Sequence, residues 1–300
     1  MIQAIVTSIL FAMSAVSAGR TTRLLGAGTA NLSRLMLATV CLALWAHTFG
    51  GGLDGAGLPW LFASGVIGFG VGDLALYGAY YRIGPRLAVL LCLCLAAPIG
   101  AVMEWLWLGT RLSSPQILWS SVILVGVFAA LAPDRRMPVP ARTWYIGIAL
   151  GVVAALGQGG GAVLTRKGFD LARDAGQHID GGTAAYQRIL GGLLLTAIVL
   201  LVNHCRKPPA VTEETLVVEH RWRRAWPWVI ANALCGPAIG VACYQWALAV
   251  APTGIVLSIV ATTPLVVIPF TMLLDKEHPT IRSVAGGVAA VLGAAALAHA

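Results

Sequence analysis

Residues 64–131 are written a second time, loosely, at residues 231–297. Moving the first copy forward by 167 places sets Tyr77 on Tyr244, Pro85 on Pro252, Val89 and Leu90 on Val256 and Leu257, and Gly126 on Gly293. Pro98 falls one place off Pro264. The identities are few, but they sit at residues that shape the backbone. Each copy reads as a helix, a tight turn before a Pro, a helix with a Pro inside it, a short polar loop and a last small-residue helix. Self-similarity at a fixed offset means that one structural unit is used twice.

The unit is an oily one. Hydrophobic residues make up 58% of the chain, charged residues only 11%, and the mean hydropathy is +0.82. A soluble domain carries about 25% charged residues, so this chain is short of the polar surface that water requires. Runs of about 20 apolar residues cross a bilayer core as helices. Ten are predicted, at 2–18, 30–49, 58–80, 87–108, 116–132, 144–164, 184–203, 226–249, 253–274 and 281–298. They leave no room for a soluble domain. The first has no basic leader and no small-residue cleavage site, and is expected to be a retained helix. The basic residues behind the net charge of +8 are scattered over the loops, which suits orientation against an anionic membrane face better than nucleic acid. Cys41, Cys92, Cys94, Cys235 and Cys243 fall within spans as small hydrophobes, so no metal, disulfide framework or cofactor is expected.

The remaining spans are paired by weaker echoes. Thr22 and Arg23 match Thr165 and Arg166, and Arg34 matches Arg188 after an inserted polar stretch, residues 170–182, read as a loop. Residues 134–143 read as a hinge between a first unit, 1–133, and a second, 144–300; residues 204–224 read as an exposed connector. Ser64, Gly68 and Gly72 recur every fourth residue and offer a stripe for close helix packing. Each unit holds five spans. Five is odd, so the second unit enters the membrane upside down. The expected fold is an all-α membrane protein of ten transmembrane helices in a 5+5 inverted-topology repeat. Such a pair has two near-equivalent arrangements, open to either side.

Two motif strings carry a family resemblance. The first half reads Gly70-x-Gly72-Asp73-x3-Tyr77, then Gly84-Pro85, Pro98, Leu108-Gly109-x-Arg111-Leu112-Ser113 and Gly126-Val127. The second reads Gly236-Pro237-x2-Gly240-x3-Tyr244-Gln245-x-Ala247, then Pro252-x-Gly254, Thr262-Thr263-Pro264 and Glu277-x-Pro279-Thr280. Together they resemble tandem EamA domains of the drug/metabolite transporter superfamily. The resemblance implies ten helices, a central cavity, and export or exchange of a small organic metabolite across the cell membrane. The sequence departs from the pattern at Thr110, where the family has Glu, although Glu277 keeps it in the second copy. The family also implies cytoplasmic chain ends, whereas fourteen basic residues on odd loops against four on even ones place both ends outside by the positive-inside rule.

Charges inside spans are costly and normally face a cavity or a partner. Asp73 and Glu104 are candidates for carrying a proton or facing a cationic group, and Arg34 and Arg188 for facing an anionic one. The plainer reading of the two Arg is that they lie shallow and snorkel to the interface. Tyr77, Tyr244, Gln245 and Trp246 are candidates for hydrogen bonding and stacking, against a plainer role as interface anchors. Gln158 is a lone amide among glycines and needs partners if buried. Pro98, Pro264 and Pro269 each remove a helix hydrogen bond, and are read as kinks along a pathway.

The string Gly70-x-Gly72-Asp73 also occurs in intramembrane aspartyl proteases, but that chemistry needs two acids sharing a proton, and Glu104 is the only other acid deep in a span. HExxH, GK[ST] and GxSxG are absent. The expectation is therefore a carrier, not an enzyme, with a small solute, protons and membrane lipid as its partners. A non-transporting membrane subunit or a lipid-head-group flippase accessory is the alternative.

Overall fold

The computed structural model describes residues 2–131, 140–206, 214–267 and 281–297. Among these the chain is almost entirely helical, with no strand. This is what lipid demands, because a helix satisfies its own backbone where water is absent. The elements are α1 (Ile2–Leu25), α2 (Ala27–Thr48), α3 (Leu58–Gly65), α4 (Asp73–Leu108), α5 (Ser114–Leu131), α6 (Ala141–Asp174), α7 (Gly181–Arg206), α8 (Glu214–Ala233), α9 (Ile239–Val250), α10 (Thr253–Val260) and α11 (Ile281–Leu297). Among the described residues seven helices are long and apolar enough to cross a membrane: 2–25, 27–48, 58–84, 87–108, 141–174, 181–203 and 221–250; 114–129 and 253–267 are shorter apolar helices. Large side chains such as Val40, Leu44, Leu106, Phe128 and Leu201 stand exposed on the outside, as a lipid-facing surface requires.

Several expectations need correction. The third predicted span is not one regular helix. A wide π-helical stretch, Val66–Gly72, joins α3 to α4, and a second, Leu234–Ala238, joins α8 to α9. The 167-residue offset places one on the other. α4 runs through two predicted spans and breaks only at Gly84, whose φ of 77° suits a residue without Cβ. Pro98 keeps helical backbone; Pro264 stands just after a turn at 261–262 that ends α10. Pro269 lies outside the described residues.

The predicted loop at 170–182 is helical as far as Asp174. The end is held by an Arg173–Asp170 pair and by Arg173 Nη2 donating to the Ala249 carbonyl at 3.2 Å. The predicted connector at 204–224 is helical to Arg206 and again from Glu214. The predicted hinge is helical from Ala141, the start of α6, and 132–139 lie outside the described residues.

The small-residue stripe does bring backbones together. Ser64 Oγ donates to the Gly161 carbonyl at 2.6 Å, and a Cβ on Gly157 would lie 2.7 Å from the Gly72 Cα. This seam presses α4 and the first π stretch onto α6, the most extensive helix pairing in the molecule. α1 packs on α8 and α9, and α2 on α7. The early helices of each half thus pack against the other half, and a cavity is left between them.

Candidate functional site

The cavity has a volume of about 90 Å³. Arg34, Asp73, Tyr77, Gln158, Arg188 and Tyr244 all line it. Six residues proposed from sequence thus converge from α2, α4, α6, α7 and α9. The two π stretches place Gly68, Phe69, Gly236 and Pro237 on its wall.

Both Arg are buried within the protein. Arg34 is 6% exposed and Arg188 1%, so the snorkelling reading of both is corrected. Each has a Tyr ring beside it, and the two Tyr are repeat partners of one another: Arg34 lies 5.0 Å from the Tyr77 centroid, and Arg188 5.8 Å from that of Tyr244. Both Tyr are fully buried, which corrects the interface-anchor reading.

The two pairs differ in how they are satisfied. Arg34 forms an ion pair with Asp73, and its Nε donates to Asn31 Oδ1 at 3.0 Å. Asn232 Nδ2 donates to Tyr77 Oη at 2.9 Å, while Ser14 Oγ donates to Asn232 Oδ1 at 2.8 Å. Arg188 Nε and Tyr244 Oη are buried with no hydrogen-bond partner among the described residues. Arg188 instead meets ring faces, with Phe69 at 4.9 Å. The charge is accommodated by missing side chains: a Cβ on Gly68 would come 2.5 Å from Arg188 Nη2, and one on Gly161 3.0 Å.

Glu104 does not reach this cavity. It pairs with Arg166 at 2.7 Å, and its other oxygen accepts from the Thr253 N–H at 2.6 Å, at the first residue of α10. Arg166 Nη1 donates to the Leu248 carbonyl at 3.0 Å, at the end of α9. Trp246 packs edge-on against Trp45, with centroids 6.4 Å apart. Gln245 is fully buried, with neither amide atom bonded among the described residues. Pro98 lines a second, larger cavity with Trp105, Arg111 and Ser120.

Trp45 and Trp246 belong to one end of the bundle, where hydrogen bonds tie the first half to the second. Trp45 Nε1 donates to Asp180 Oδ1 at 2.8 Å, the Ala56 N–H to Gln177 Oε1 at 2.8 Å, and Gln187 Nε2 to the Gly52 and Asp54 carbonyls at 3.1 and 3.0 Å. Each bond joins an early helix or loop to the second half. Asp180 caps α7, accepting from the Gly182 and Thr183 N–H groups at 2.9 and 3.1 Å. Burial pushes its carboxyl up, but the hydrogen bonds from Thr183, Trp45 and the two amides outweigh that, and hold it below the usual carboxylate range.

Asn31, Asn232 and Ser14 were missed from sequence. As uncharged polar residues inside apolar spans they carry a signal, though a weaker one than a full charge does. Among the described residues no group of acids, His and Cys could hold a metal.

No curated protein matches the sequence. A solved structure described only as the crystal structure of a protein shares the fold: TM-score 0.69, 15% identity, 97% of this chain and 94% of that one covered. The model of the EamA-like transporter family matches residues 145–298, just over half of the chain. The chain therefore belongs to the EamA-like transporter family, among the membrane transporters of the drug/metabolite type.

Proposed function

We propose that this protein is a secondary carrier of a small organic metabolite in the cell membrane, working by alternating access as an exporter or exchanger. In this reading ten helices form a 5+5 inverted repeat, and each solute passes through the cavity between the halves. One observation carries it. The repeat-related pairs Arg34–Tyr77 and Arg188–Tyr244 line a single buried cavity. Buried charge in a membrane protein is expensive and marks a solute or ion pathway. The bonds that tie the halves together at the Trp45–Asp180 end support a state closed on that side. Protons are the proposed coupling ion, through Asp73, whose protonation would release Arg34.

Counterflow tests this reading. The protein is reconstituted in liposomes preloaded with a panel of unlabelled metabolites, and uptake of each labelled counterpart is followed. Accelerated exchange of at least one solute over empty liposomes is expected. Folded protein that exchanges nothing across the panel would overturn the carrier assignment. The proton role is separate: pH-driven flux that is unchanged in Asp73→Asn removes it.

A further inference from the structure

The two Arg–Tyr pairs are one device drawn twice, with only one copy completed. Arg34 has its carboxylate in Asp73, and Tyr77 Oη has Asn232. Arg188 has no carboxylate within ion-pair distance among the described residues, and Tyr244 Oη has no partner. Both are at least 99% buried, and both line the cavity. A buried guanidinium and a buried hydroxyl without acceptors are strongly unfavourable. A ligand oxygen in the cavity removes both penalties.

We propose, resting on the carrier reading above, that the solute is a monocarboxylate with an apolar or aromatic body, its two oxygens held by Arg188 and Tyr244 Oη. A planar guanidinium matches the two oxygens of a carboxylate. Charge selects against a phosphate monoester. In the ion-paired state that the structure shows, Arg34 and Asp73 cancel, so Arg188 leaves the cavity with one unmatched positive charge. A monoanion neutralises it; a dianion would leave a buried negative charge. Phe11, Phe69, Leu76, Val89 and Leu93 form the apolar part of the wall. They give the body of the solute a place and a small inorganic anion none.

The test uses the purified full-length protein and three probes: phenylacetate, phenethylamine and inorganic phosphate. Thermal stabilisation is followed as each is titrated, since a bound solute raises the melting temperature by mass action. Phenylacetate is expected to saturate below about 10 mM, and the other two to give no saturable shift. Arg188→Gln should weaken phenylacetate at least about tenfold, as loss of a charge-assisted contact does, Arg188→Lys less, and Tyr244→Phe several-fold. If Arg188→Gln does not fold, Tyr244→Phe decides alone, since it removes a single oxygen. No saturable response to phenylacetate, preference for phenethylamine, or wild-type affinity in Tyr244→Phe overturns the proposal. Arg188-dependent phenylacetate binding without counterflow of any solute sinks the carrier reading and leaves the anion seat. Counterflow of other solutes that is untouched in Arg188→Gln does the reverse.

Discussion

Glu104 and Arg166 hold opposite sides of one break in the chain. The acid accepts from the first amide of α10 and the base donates to carbonyls at the end of α9, while the two meet at 2.7 Å. Each charge is on the side that the helix dipole favours. The pair clamps the turn at Ala251 and Pro252 and joins the first half to the second.

Removing one member of this clamp strands the other. Glu104→Gln should destabilise the protein by about 3–5 kcal/mol, the cost of leaving a buried charge uncompensated. The double variant Glu104→Gln/Arg166→Gln should lose less than the sum of the singles. Thermal unfolding in detergent of the four proteins measures the coupling; additive losses would mean that the pair does not interact.

The Arg34–Asp73 pair predicts the same pattern inside the cavity. Asp73→Leu leaves Arg34 buried without its carboxylate, and should cost about 3–5 kcal/mol. Arg34→Met/Asp73→Leu should recover much of that loss, since an apolar pair of similar volume avoids the desolvation penalty. Melting temperatures of the three variants against wild type check it.

The seam between α4 and α6 tolerates no added carbon. A Cβ on Gly157 would sit 2.7 Å from the Gly72 Cα and 2.9 Å from the Ile67 carbonyl oxygen, both backbone. Gly157→Ala should cost about 1–3 kcal/mol as an overpacking change. Gly51, with nothing within 4 Å of its Cβ position, should accept Ala with little effect. Equal melting temperatures for the two variants would contradict the close approach.

Asp180 gives a pH dependence with a definite sign. Its folded-state pKa is depressed, so its contribution is complete above the unfolded value of about 3.9. It is lost as pH falls through the lower folded value. Asp180→Asn should therefore melt a few degrees below wild type at neutral pH, with the two curves converging under strongly acid conditions. A gap that widens on acidification would reverse the assignment.

Much of the cavity could be read from the repeat. Pairing Tyr77 with Tyr244, and Arg34 with Arg188, needed only the offset and the insert. Offsets survive because residues such as Pro85 and Pro252 fix backbone shape wherever they stand. The errors arise from facing and from partners. Gln245 and Trp246 follow Tyr244 directly, but each step turns about 100° around a helix, so the three cannot share one wall. Glu104 sits deep in its span as expected, yet its partner comes from α6, a tertiary fact that depth does not reveal. Residues 170–174 look like loop because they are polar, although a helix that projects from the lipid is free to be polar. The π stretches widen a turn without changing composition, so hydrophobic periodicity passes over them.

The unmatched charge of Arg188 bears on the kinetics of the proposed transport cycle. In the carrier proposed above, an occluded intermediate with nothing bound would carry a lone cation through a medium of low permittivity, and its return leg is expected to be the slow one. An anionic solute would cancel that electrical penalty and carry the protein across. Efflux into solute-free buffer should accordingly lag behind efflux into buffer containing the same solute, and neutralising Arg188 should narrow the gap.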